Sequence, residues 1–154
     1  MSTQVLEKYF SASLRDSAIK NLWFLKLQVN PMAHQTMPAD YKILTTANNY
    51  LVECKEINNT NKNTAFPFEK LTQLIDLLAF EDKDIGRSSY LCLMFWKGNL
   101  KKSEAYMIPI IDWFEFTQTH KFKSINERVC KERFGEYRLE VHKALFVNLN
   151  NIFL

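Results

Sequence analysis

Asp40, Glu53 and Lys55 are the residues of this chain whose types and spacing suit chemistry on a phosphodiester. Two carboxylates offer hard oxygen ligands to Mg²⁺, with Mn²⁺ as a substitute, and such a cation keeps several waters while contacting phosphate directly. It would lower the pKa of a bound water and neutralise charge on the phosphate. A lysine beside it could orient or deprotonate that water, or act as a fixed positive charge on the transition state. The residues alone do not choose among those roles.

Such chemistry needs an element that brings the three together. Pro38–Lys55 reads as two short strands joined by a tight turn. Alternate residues on a strand share a face, so Glu53 and Lys55 point one way and Cys54 the other. A turn centred on Thr46-Ala47 sets Asp40 opposite Glu53, and one centred on Asn48-Asn49 sets it opposite Ile57. Both registers keep Asp40 on the Glu53/Lys55 face, because a slip of two residues preserves the face. Only the first lets the carboxylates share a metal ion, so that register, or a bulge of the same effect, is expected. A second acid-x-Lys triplet, Glu81-Asp82-Lys83, has no apolar strand around it and falls in a charged turn.

The other elements follow from periodicity and punctuation. Residues 4–18 carry Leu6, Phe10 and Leu14 at helical spacing, with Glu7 near the edge of the stripe. Leu22–Leu27 reads as a buried strand ending at Asn30-Pro31, and 32–37 as a loop. Ile57–Thr64 is polar loop. Phe66-Pro67-Phe68 opens a helix with Pro67 in its first turn, and Leu71, Leu74, Ile75 and Leu78 give that helix an apolar face that includes Gln73. Ser89–Trp96 is apolar on both faces and belongs inside a sheet. Strand Glu104–Ile110 and a helix to about Thr119 come next, and Ser124-Ile-Asn-Glu127 has capping-box spacing for a further helix. Residues 137–154 form an amphipathic stretch that packs or mediates association. The order predicts an α/β chain of mixed α+β type, a small mixed sheet flanked by helices.

Composition narrows the classes. At 154 residues, 47% of them hydrophobic, the chain is long enough for one domain with a sizeable core. Three scattered cysteines without CxxC spacing indicate reduced thiols in a cytoplasmic setting and argue against a zinc site. No apolar run has the length of a membrane span, and no signal-peptide pattern opens the chain. Three glycines, none in a phosphate-cradling loop, leave an ATPase or dinucleotide reading without support. A formal charge of +3 hints at a polyanionic partner. The basic run after Lys121, interleaved with glutamates, reads first as a solvated helix face.

Pro38-Ala39-Asp40 followed by Glu53-Cys54-Lys55 resembles the PD-(D/E)xK nuclease signature. With the upstream helical Glu7, Phe66-Pro67-Phe68 and Gln73, it is similar to Holliday junction resolvases of the RecU and archaeal Hjc type, above all phage-encoded RecU-like ones. The likeness covers about 4–110 and implies a restriction-endonuclease-like core, with 111–154 as a helical extension of a single nuclease domain. It implies that Glu7, Asp40 and Glu53 ligate or support the metal, with the Cys54 carbonyl as a further ligand. Lys55 would be the catalytic lysine, and Gln73 would position water or phosphate. His34, Thr36 and Lys42 are candidates to touch DNA. The implied function is metal-dependent cleavage of branched DNA, most of all Holliday junctions, by a homodimer in the cytoplasm (the host's, if phage-encoded). Alternatives are a nicking, repair or exonuclease-like enzyme on linear or flapped DNA, and a non-catalytic DNA-binding module. Two departures stand out: Ala39 separates Pro38 from the acid, and Pro31–Met37 is too short for the RecU stalk.

Overall fold

The structure is a computed structural model, and it describes residues 4–16, 22–27, 37–60, 64–82 and 86–153. The chain opens with helix α1 (Gln4–Arg15), then strands β1 (Trp23–Lys26), β2 (Tyr41–Leu44) and β3 (Asn49–Asn58). A two-residue strand β4 (Phe66–Pro67) and a single 3-10 turn (Phe68–Lys70) lead to helix α2 (Leu74–Asp82). Strands β5 (Arg87–Trp96) and β6 (Glu104–Pro109) precede helix α3 (Ile110–Thr119), strand β7 (Ser124–Ile125) and helix α4 (Glu127–Phe134). The short strands β8 (Val141–His142) and β9 (Leu145–Phe146) and helix α5 (Leu149–Ile152) complete it.

Five strands form one mixed sheet in the order β1-β2-β3-β5-β6. The pairs β1–β2, β2–β3 and β5–β6 are antiparallel, and β3–β5 is parallel. A parallel pair needs a crossover, and the segment containing α2 supplies it. Helices cover both faces. Against one lie Leu6, Phe10 and Leu14 of α1 with Phe146, Leu149 and Phe153, meeting Tyr41, Val52, Cys54 and Met94 of the sheet. Against the other lie Leu77, Trp113, Phe116 and Phe134, meeting Leu51, Leu91, Leu93 and Phe95. This is the mixed α/β architecture expected, with Ser89–Trp96 inside the sheet as its two apolar faces require.

Several local readings need correction. β1 is an edge strand covered on one face only: Phe24 packs against the α1 core, whereas Trp23 and Leu25 on the other face are 72% and 60% exposed. β3 runs on to Asn58, since its parallel pairing with β5 continues as far as Asn58 opposite Trp96. Pro67 sits in β4 rather than in a helix, paired with Ser124. The helix begins at Leu74, and Ile75 is 79% exposed while Leu77 takes the buried position. Ser124 is likewise in a strand. The cap of α4 is Asn126, whose side chain accepts the Val129 N–H at 2.9 Å. Residues 111–154 are more than helical: they include β7, β8 and β9, and Phe134, Phe146 and Phe153 enter the two cores.

Candidate active site

β2 and β3 pair with Tyr41 opposite Val52 and Leu44 opposite Asn49, which centres the turn on Thr46-Ala47. That register sets Asp40 beside Glu53. The Asp40 N–H donates to the Val52 carbonyl at 3.1 Å, and the Leu27 N–H donates to the Asp40 carbonyl at 2.7 Å. One Asp40 carboxylate oxygen accepts the Cys54 N–H at 2.8 Å. The aspartate is therefore fixed by backbone on both sides and by its own side chain.

Glu53 points from β3 toward the α2 side of the sheet and is only 2% exposed. One of its oxygens meets Lys55 Nζ at 3.1 Å. The other, Oε1, is buried without a hydrogen-bond partner. Removal from water, and next the neighbouring Asp40 carboxylate, push the Glu53 carboxyl up to about 8 from an ordinary 4.5, against the opposing pull of Lys55. Cys54 turns to the opposite face, where it packs with Cys92 in the α1 core. Burial raises its thiol well above the ordinary range, so it is an inert core residue in its side chain.

Asp40 and Glu53 line a pocket of about 240 Å³ together with Gln73, Thr72, Asp76 and Leu27. Gln73 stands just before α2 rather than within it; its carbonyl accepts the Leu77 N–H at 3.0 Å, and its side-chain oxygen accepts the Thr72 hydroxyl at 3.1 Å. Thr72 and Asp76 were not singled out from the sequence. The signal that could have found Asp76 is its place three residues after Gln73, one turn along the start of the same helix.

Glu7 comes from a different element, α1. α1 packs on the other face of the sheet, where the Glu7 carbonyl accepts the Tyr41 hydroxyl at 3.0 Å and its carboxylate lies 3.8 Å from Lys26 Nζ. Among the described residues no group of three or more His, Cys, Asp or Glu could hold a metal ion. Lys42 shares the Asp40 face of β2, opposite Leu51, and is half-buried. His34 and Thr36 lie outside the described residues.

The donors that do meet still fit a hard divalent cation. A buried carboxylate oxygen without a partner is costly, and a cation beside Glu53 Oε1 would remove that cost. Asp40 uses one oxygen for Cys54 and has a second to offer.

No family model matches the chain, and no curated protein matches it. Among solved structures, Hjc from Archaeoglobus fulgidus, a Holliday junction resolvase from an archaeal hyperthermophile, is similar in fold with a TM-score of 0.48. The two are 13% identical, and the match covers 92% of this chain and 94% of that one.

Among the described residues no helix is long and apolar enough to cross a membrane.

Proposed function

We propose that this chain is a divalent-metal-dependent endonuclease acting on branched DNA, with the four-way junction as its substrate. The observation that carries the reading is the Glu53 carboxylate: buried, unpartnered at Oε1, its proton affinity raised by that burial and next by Asp40, and fastened to Lys55 on one sheet face. An ion pair kept only for stability would sit better at the surface or be satisfied at both oxygens.

Asp40 and Glu53 would hold the cation, with the Cys54 carbonyl as a further oxygen. The cation, when bound, would acidify a water and offset charge on the phosphate. Asp40 is held to its orientation by the Cys54 N–H, so its free oxygen is presented without reorganisation. Lys55 is placed to hold positive charge beside the phosphate or to accept a proton from the attacking water. Gln73, fixed by Thr72 and by the start of α2, closes the opposite wall of the pocket and would orient water or phosphate. Glu7, with its carboxylate near Lys26 and its carbonyl on the Tyr41 hydroxyl, would ligate or support the metal from α1. Two symmetric nicks in one junction call for two such sites, hence a homodimer with one site per subunit. Lysine and arginine contacts to phosphates would supply most of the affinity, which would fall steeply with salt.

The test is cleavage of a labelled synthetic four-way junction beside a linear duplex of the same sequence, in Mg²⁺ and in EDTA. Paired symmetric nicks in the junction alone, lost in EDTA and in Asp40→Asn, are expected. Equal cutting of both substrates would keep the nuclease and remove the junction preference. Cleavage surviving Asp40→Asn combined with Lys55→Ala would show that the site lies elsewhere.

A further inference from the structure

A second pocket, of about 550 Å³, is lined by Ala65, seven residues before the Thr72 of the first. Its walls include His120, Phe122, Asn126, Arg128, Glu132 and Arg133. The volume is in the range of small-ligand sites, but the lining is aromatic and cationic rather than greasy. We infer that this pocket takes one unstacked nucleotide of a DNA strand, its base against the Phe122 ring and its phosphate toward Arg133 and Arg128.

The aromatic side is built rather than incidental. His120 stacks on Phe116 with centroids 4.5 Å apart and planes 25° apart, and Phe122 meets His120 edge-on at 6.0 Å. Phe122 is nonetheless 62% exposed. Lys121 Nζ lies over the Phe122 ring, 5.7 Å from its centroid, and a large exposed ring at a polar pocket offers a flat surface that a base could cover in place of that ammonium. On the cationic side, the Arg133 guanidinium lies over the Phe116 ring, 5.2 Å from its centroid. Among the described residues Arg133 has no carboxylate at ion-pair distance. Arg128 is paired with Glu132 at 3.2 Å, and both side chains are largely exposed; a phosphate could compete for it. Glu132 is the one acid among the lining residues, and Lys121 and Lys123 flank Phe122 in the chain. The balance of charge favours an anion.

Position ties this pocket to the proposed site. Pairing of β4 with β7 and the Phe68 N–H donating to the Lys123 carbonyl at 3.0 Å fix the 121–125 segment to the chain that leads to Gln73. Ala65 lines the second pocket and Thr72 the first. Seven residues span at most about 25 Å, and the intervening 3-10 turn shortens that. A strand whose phosphate lies at Asp40 and Glu53 could run along this segment to Phe122. Paired, stacked DNA has no free base face to offer; single-stranded DNA, a flap or a base unstacked at an opened branch point has. The inference rests on DNA as the substrate of the proposed function, and not on its cleavage chemistry.

The experiment is fluorescence anisotropy in EDTA, with fluorescein-labelled oligothymidylate and a fully paired duplex of equal length as probes. Phe122→Ala is expected to weaken oligothymidylate binding about 5- to 100-fold, the range for loss of one base–aromatic stack. Duplex binding should stay within twofold. Phe122→Trp should restore the oligothymidylate affinity. Arg133→Gln should weaken both probes and flatten the salt dependence by about one phosphate contact. Unchanged oligothymidylate binding in Phe122→Ala would overturn the inference, as would an equal loss on both probes. Because Phe122 is largely exposed, an unaltered melting temperature separates these outcomes from misfolding. If the wild type cleaves junctions while Phe122→Ala binds normally, this inference alone fails. If Phe122 is needed for binding yet no metal supports cleavage, the nucleotide pocket stands and the nuclease reading fails.

Discussion

Replacing Glu53 by glutamine should stabilise the metal-free protein, by an amount that grows with pH. The Glu53 carboxyl is taken out of water beside Asp40, so its protonated form persists in the fold up to about 8. In the unfolded chain the same group titrates near its ordinary 4.5. Between those values the folded state holds more protons than the unfolded one, so wild-type stability falls as pH rises. Below the lower value both states are protonated and the penalty is absent; above the upper value it is complete. Each tenfold change in proton affinity corresponds to about 1.4 kcal/mol, which sets a ceiling of about 5 kcal/mol by pH 8. Relaxation and water entry reduce such penalties in real interiors, and about 2–4 kcal/mol is the expected size. The assay is urea unfolding in EDTA at pH 5, 6.5 and 8 for wild type and Glu53→Gln. The gap between them should be small at pH 5 and widen steadily. Added Mn²⁺ should reverse it at pH 8, because a cation selects the ionised carboxylate that glutamine lacks. A gap that is flat across pH would refute the buried, proton-holding Glu53 on which the site is built.

Two further predictions test the supports of the site. Asp40→Ala should cost about 1–3 kcal/mol in urea unfolding, because it leaves the Cys54 N–H without its acceptor, whereas Asp40→Asn keeps an oxygen there and should cost less than 1 kcal/mol while still losing Mn²⁺ binding in calorimetry. Asn126→Ala should cost about 1 kcal/mol by removing the α4 cap, and Ser124→Ala much less, which a pair of urea midpoints would show.

The parts of the site that were legible in the sequence are those governed by strand parity. Asp40, Glu53 and Lys55 share a face because side chains alternate along a strand, and the Thr46-Ala47 turn follows from asking that the two acids meet. Cys54 faces the other way for the same reason. Glu7, on α1, lies outside that reasoning. Its helix was readable, but which face of the sheet that helix covers is not a property of its sequence. Gln73 was readable as a residue near a helix, but not as the residue that starts it, because Pro67 was drawn into a strand by its pairing with Ser124. That pairing joins residues more than fifty positions apart, beyond any local pattern.

What the sequence determined by itself was therefore periodic: an amphipathic α1, an apolar β5, a hairpin with three chemical side chains on one face. Those depend on interactions between residues a few positions apart, and composition carries them. The tertiary structure alone decided the burial of Glu53, since that requires a parallel crossover to bring Thr72, Gln73 and Asp76 beside β3. It also decided the exposure of Trp23 and Leu25, because an apolar strand is buried only where helices extend over it. The second pocket is of the same kind: His120, Phe122 and Arg133 are ordinary neighbours in the chain, and the β4–β7 pairing sets them beside the path to the carboxylates.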